Sequence, residues 1–445
     1  MPRICWVEDT AVAHLEPITL TRAAFELVVG SSTLAHKAER FLTTGWPSNT
    51  PIDRGAVVRS YLAPWQRVRF PDWSINDPSW LGADRTLVIH ARWHAPEARL
   101  EFSSPGHGDS PWIGLCEGQP ACAWVSAEDA ARLDPHGIES WFETMAAKLP
   151  SHEVGGVWTS YLWDLVARNA DEIVRDFIHR PEPVPAPGVF PHAAVVGRAD
   201  WLKIDPSVRL DPYTVLDTTN GPISIEAGVW VQPFTRIEGP CHIGRDTQLF
   251  RANLRGGVTL GPNCRIGGEV EHSVVFGHSN KYHEGFLGHA YVGEWVNLGA
   301  ITSNSDLRND YGEVFVPLGG DPVATSQRKV GCFLGDHTRT GLGSMLNTGT
   351  TVGVMCNVLP AGPLLPKHVP SFTAILYGKV APGFPLDQMF VTARTVKGRR
   401  GQEFSLVEEQ LFLDLYEQTR LERERAFHRS QQRREDPWPT VQGMR

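Results

Sequence analysis

Cysteine is scarce: seven residues in 445, an odd number, with no CxxC pair among them. That scatter excludes a disulfide framework and a four-cysteine zinc site, and fits reduced thiols in the cytoplasm. No apolar run approaches the ~18–20 residues needed to span a bilayer. The start, MPRICWVEDT, lacks a basic stretch followed by an apolar core, so no secretory signal is expected. Basic excess is also missing. The formal net charge is −8, which argues against a nucleic-acid partner. With charged residues at 21% and hydrophobic ones at 41%, the composition is that of a globular protein, and the length calls for two or three domains.

What is present is a repeat. Aliphatic residues recur every six positions at Ile225, Val231, Ile237, Ile243 and Leu249. The step resumes at Leu260 and Ile266, at Val292 and Leu298, and at Leu346, Val352 and Val358; Ile204 and Leu210 fit it too. Six matches neither a helical period nor a plain strand alternation. It suits a triangular coil in which each side is a short strand sending one aliphatic side chain inward. The prediction is a left-handed parallel β-helix over 194–379. Arg251–Gly257, His272–His289 and Thr302–Lys329 interrupt the register, and in a repeat scaffold insertions gather on the functional face.

The N-terminal part reads differently. Arg3–Val7 and Thr86–His90 predict buried strands, and Thr33–Phe41, Ala127–Arg132, Ile138–Leu149 and Ser160–Phe177 predict helices. This is an open α/β sheet domain over 1–180. Prolines at 181, 183, 185, 187 and 191 mark a stiff linker over 181–193. Residues 380–445 predict a helical tail on Leu406, Leu411, Leu413, Leu415 and Leu421. Its end from His428 reads as frayed, and Lys397–Arg400 as a solvated turn.

The stretch from Gly277 to Gly312, GHSNKYHEGFLGHAYVGEWVNLGAITSNSDLRNDYG, resembles the acetyltransferase half of GlmU-like bifunctional enzymes, closest to a divergent sugar nucleotidyltransferase branch. The resemblance implies a Rossmann-like nucleotidyltransferase domain before the β-helix, acetyl-CoA as co-substrate, and a hexosamine 1-phosphate acceptor in nucleotide-sugar synthesis. It also implies a homotrimer with sites shared between subunits. It puts the general base on His283, ahead of VNLGA at Val296–Ala300. It places substrate contacts on Arg255 in LRGG, Lys329 before LGD, Asn297, Asn304 and Lys281. Small residues Ala300, Gly341, Ser344 and Ala361 would line the coenzyme A groove. The family's tyrosine three residues after the histidine is Phe286 here.

The resemblance continues in LEPITLTRAAFELVVGSSTLAHKAERFL, Leu15 to Leu42, with losses. The family's glycine-rich phosphate loop reads AVAH, its lysine is Ala24, and its metal-binding aspartate falls on Arg92. Arg22 alone survives from its TxTR. Nucleoside triphosphate use, and Mg²⁺ with it, is therefore expected only if the N-terminal domain is active. Three alternatives stand beside this reading. The chain could be fully bifunctional. It could be a zinc hydratase like β-helix carbonic anhydrases, through His278, His283 and His289. It could be a non-catalytic sugar-phosphate-binding protein.

Overall fold

The computed structural model describes residues 2–44, 51–96, 110–179, 192–359 and 364–432. The proline-rich segment through 191 and Ala361 lie outside them. The chain packs as two compact units, residues 1–165 with 406–411, and residues 166–405 with 412–445.

The first unit is built on a seven-stranded sheet. Its strands are β1 Arg3–Val7, β2 Asp53–Val57, β3 Ser74–Ile75, β4 Thr86–His90, β5 Trp112–Cys116, β6 Gln119–Val125 and β7 Ser151–Glu153. Their order is β7-β5-β6-β4-β1-β2-β3. β1 lies parallel to both β2 and β4, with Val7 facing Val57 and His90. β6 runs antiparallel to β4 and β5. Val7, Val57, Val88, Ile113 and Ala123 pack against Ile138, Trp141, Phe142 and Met145 of helix Ile138–Lys148. β1 and β4 are buried along most of their length, as central strands of an open α/β sheet are.

The second unit is the left-handed β-helix. One of its faces stacks nine short parallel strands from Leu202–Ile204 to His368–Val369. The six-residue aliphatics point inward: Ile225, Val231, Ile237, Ile243, Leu249, Leu260 and Ile266 are all fully buried. Each buried aliphatic contributes about 1.5–3 kcal/mol, and the coils add them in a column. One corner of the coil is turned by a left-handed residue per rung. Asp246, Asn263, His278, Trp295, His337, Met355 and Phe372 have φ between 53° and 63°. That conformation is costly for residues with a Cβ, and part of the cost is offset by stacking. The His278 and Trp295 rings lie 4.1 Å apart and near parallel, and His337 follows at 6.2 Å.

Of the three interruptions, only the last leaves the coil. It carries a hairpin, Phe315–Leu318 with Asp321–Ala324. The stretch His272–His289 is a coil after all, with strands at Val274–Val275, Asn280–Lys281 and Phe286–Gly288. The period hid it because Lys281, not an aliphatic, takes the inward position opposite Ile266. Helix Leu162–His179 also departs from expectation. Its Asn169 donates to the Gly257 carbonyl and the Thr259 hydroxyl, at 2.8 and 3.1 Å, so that end of the helix packs on the coil. Lys397–Arg400 is not a solvated turn. Lys397 is buried over the Trp295 ring, and Arg400 donates to Asn263 O and Asn280 Oδ1. The tail holds helices Leu386–Gly398, Leu406–Gln418 and Arg420–Gln432, so the segment from His428 stays helical to Gln432.

Candidate functional site

His283 sits in the turn between strands Asn280–Lys281 and Phe286–Gly288, exposed, with Tyr282 edge-on to its ring. The turn is stacked on its successors. Ile301 N–H donates to Glu284 O at 2.8 Å, and Gly343 N–H donates to Ala300 O at 2.8 Å. His283, Ala300 and the Gly341–Ser344 turn therefore occupy one corner on consecutive coils. Three of the four coenzyme candidates come together there. Ser344 is buried and its hydroxyl donates to Gly341 O, so it shapes the turn and is not open to a ligand.

Lys281 is not a substrate contact. Its side chain points into the coil, and Nζ donates to Gly267 O, His283 O and Gly285 O at 2.8, 3.3 and 2.6 Å. Burial pulls its ammonium down to about 8. The lysine ties down the carbonyls of the turn that presents His283. Lys281→Met is expected to destabilise the protein by about 1–3 kcal/mol, because three carbonyls lose their donor. The folded pKa lies below the unfolded one, so between about 8 and 10.5 the unfolded chain binds more protons and wild-type stability rises with pH. Thermal melts across that window should show the rise in wild type and its loss in Lys281→Met.

Two of the acceptor candidates, Arg255 and Lys329, meet on the face that leads from this turn to the next corner. Arg255 Nη1 meets Glu269 at 3.0 Å and Glu271 at 2.9 Å, and Lys329 Nζ lies 3.7 Å from Glu271. The face thus mixes two cations with carboxylates. At its far corner His289 Nδ1 lies 2.8 Å from Asp306 Oδ2, and the His289 ring stacks on His272 at 5.0 Å. Burial would raise the Asp306 carboxyl, but the hydrogen bond and charge of His289 outweigh it and the pKa is lowered. Burial, and then the neighbouring His289, lower that of His272.

Two predicted contacts lie elsewhere. Asn304 is buried and spends its amide on Gly288, accepting from its N–H and donating to its carbonyl, both at 2.9 Å. It replaces a missing piece of ladder. Asn297 stands on the outward column Asn280, Asn297, Arg339, Asn357, with Asn280 Nδ2 donating to its Oδ1 at 3.3 Å. That is an asparagine ladder. His278, His283 and His289 do not gather either. His278 stacks on Trp295 and His289 on His272, and no group of three His, Cys, Asp or Glu among the described residues could hold a metal.

In the first unit, ligands of an open sheet belong at the carboxyl ends of its strands. Two acids follow β1 there, and both are engaged. Glu8 accepts from Arg59 Nε and Nη2, each at 3.1 Å, and from Ala24 N–H. Asp9 accepts from Arg92 Nε at 2.8 Å and Nη2 at 2.5 Å, with His90 Nε2 3.3 Å away. Burial opposes the Asp9 charge, yet these bonds hold its pKa well below the usual carboxylate range. Thr10–Leu15, where the family has its glycine-rich loop, is a 3-10 turn whose Thr10 N–H donates to Glu139. Arg22 is fully buried and its carbonyl accepts from Arg59, so it braces the strand ends and does not face a nucleotide. Mg²⁺ does not fit this arrangement, because an arginine already neutralises each acid at the strand end.

Residues 4–180 match the family model for sugar nucleotidyl transferase. A bifunctional sugar-1-phosphate nucleotidylyltransferase/acetyltransferase of Sulfurisphaera tokodaii is 35% identical over 92 residues, 21% of this chain and 23% of that protein. The bifunctional protein GlmU of Cupriavidus pinatubonensis is 35% identical over 153 residues, 33% of this chain and 29% of its own. That of Acaryochloris marina is 29% identical over 194 residues, 38% of each. Over these stretches the chain is similar to GlmU proteins. It spans less than two fifths of the length of these relatives. A solved UDP-N-acetylglucosamine acyltransferase covers 54% of the chain and 89% of its own at 11% identity, with a TM-score of 0.21. So loose a superposition carries nothing for the fold, which rests on the strand register.

No pattern in the sequence singles out His272 or Asp306 as partners of His289. The pairing joins residues 17 positions apart that stack on neighbouring coils. A coil length of about that size, visible in the repeat, was the signal that could have found it. All seven cysteines are free and buried, and no helix among the described residues is long and apolar enough to cross a membrane.

Proposed function

We propose that the β-helix unit transfers an acetyl group from acetyl-CoA to the amine of a hexosamine 1-phosphate. The observation that carries this reading is the stacking of the His283 turn on Ala300 and the Gly341–Ser344 turn. It sets a general base beside a corner of small residues where a pantetheine arm can approach the backbone. The acceptor is a zwitterion, and the adjoining face has charges for both ends. Arg255 and Lys329 suit the phosphate, Arg255 as a bidentate fork. Glu269 and Glu271 suit the ammonium. His283 takes the amine proton as nitrogen attacks the thioester carbonyl; the C–S bond then breaks and the thiolate leaves with a proton. A thiol-release screen of amino-sugar phosphates with acetyl-CoA tests the reading. No release with any of them would sink it.

Two expectations follow from the site's layout. Arg255→Ala should mainly raise KM for the sugar phosphate, by roughly tenfold or more, since a charged hydrogen bond contributes about 1.5–3 kcal/mol; steady-state kinetics with a varied acceptor would show it. His283 is exposed in a single chain, and the proposed assembly is a homotrimer in which a neighbouring subunit closes the site. Light scattering should give three times the mass of one chain at micromolar concentration, and a stable monomer would overturn the shared site.

A second reading of the base has its own observation. His289 has an orienting carboxylate in Asp306, the arrangement that fixes a catalytic imidazole's tautomer. His283 has no such partner among the described residues.

A further inference from the structure

Outside both sites, the second unit holds a cavity of ≈ 200 Å³ between the β-helix and helix Leu386–Gly398. Met355, Phe384 and Met389 give it an apolar wall; Arg339, Asn357 and Thr392 give it polar groups. Arg339 is the outward residue of strand Arg339–Thr340, held between Asn297 and Asn357 on the neighbouring coils. Among the described residues no carboxylate pairs with its guanidinium and no acceptor takes its N–H groups. Burial lowers its pKa with no acid to offset the effect. A half-buried guanidinium is normally matched by an anion, because leaving the charge unpaired away from water is costly. Neighbouring cations on this unit are matched, Arg255 by two glutamates and Arg400 by two oxygens of the coil. Arg339 has no such partner among the described residues, and it lines the cavity.

We propose that this cavity binds a small organic oxyanion: a ring-sized apolar group carrying one carboxylate or phosphate, with the anion on Arg339. The fork suits either head group, and Asn357 can add a donor. The apolar part lies against Met355, Phe384 and Met389. Size limits the ligand, since a cavity of about 150 Å³ accommodates benzene. A nucleotide or coenzyme A is too large to be enclosed. The site does not depend on the acyltransferase reading, as none of its lining residues belongs to the His283 corner.

Titration calorimetry on the full chain tests this with benzoate, phenyl phosphate and benzyl alcohol. Saturable binding of benzoate or phenyl phosphate, one per chain, is expected, with the neutral alcohol at least about tenfold weaker. Comparing the two anions separates the carboxylate and phosphate sources. Arg339→Gln should raise Kd at least about tenfold. Gln388→Trp, placed on an exposed position at the rim, should block entry without touching the core. It keeps the test open if Arg339→Gln folds poorly. The proposal is overturned if neither anion binds at millimolar concentration. It is equally overturned if Gln388→Trp binds with the wild-type Kd.

Discussion

His283→Ala should lower the turnover number by roughly 10²–10⁴, the range set by loss of a general base, with little change in the Michaelis constant for acetyl-CoA. An amine becomes a nucleophile only when its proton has somewhere to go. The turn itself should survive the change, because its geometry comes from backbone contacts. Lys281 holds the carbonyls of His283 and Gly285, and Ile301 N–H holds that of Glu284. Asp306→Asn is the companion measurement. It keeps the size of the side chain but removes the charge that orients His289. If His289 is the base, Asp306→Asn should cause the large fall, by up to about 10⁴, and His283→Ala should leave turnover intact. If His283 is the base, the pattern reverses. Unchanged turnover in both variants would remove the general-base mechanism from both corners of the coil.

Nucleotidyl transfer by the first unit should be at least about 10³-fold below the ~10 s⁻¹ of a typical enzyme. Phosphoryl-type chemistry depends on charge neutralisation and positioning by metal and cations. Here the strand-end acids Glu8 and Asp9 are already neutralised by Arg59 and Arg92. The assay follows pyrophosphate release from UTP and the other nucleoside triphosphates, with N-acetylglucosamine 1-phosphate and Mg²⁺. A rate within about tenfold of ~10 s⁻¹ would show that the substitutions were misread and that the chain is bifunctional. The same geometry makes a stability prediction. Arg92→Ala should destabilise the protein by about 3–5 kcal/mol, because it leaves Asp9 charged and buried. Folded Asp9 keeps its charge to well below the usual carboxylate range, so its pairing with Arg92 stabilises the fold in full above the unfolded value of about 4, and that stability is lost as pH falls from there toward the lowered folded pKa. Urea denaturation of both proteins at pH 7 measures the difference. A change under about 0.5 kcal/mol, the ordinary surface value, would mean the pair is not the lock it looks to be.

The sequence by itself determined the coil. One inward aliphatic every six residues leaves no other way to bury Ile225 through Leu249 in register, and all five are fully buried. It also determined strands β1 and β4, whose apolar runs end where the structure ends them. Periodicity is a local property, so it survives in the string of residues. The placement of polar side chains is not local, and only the tertiary structure decided it. Lys281 reads as a substrate contact until the coil turns it inward onto three carbonyls. Asn304 reads as a ligand until Gly288 takes its amide. His289 and Asp306 lie 17 residues apart and meet only because one coil stacks on the next. Arg92 falls where an aspartate was expected, but no pattern announces that Asp9 is the partner it closes upon, 83 residues earlier. A charge declares its role through what it touches. For these residues the contacts come from the folding of the coil and the sheet, not from the neighbours in the chain.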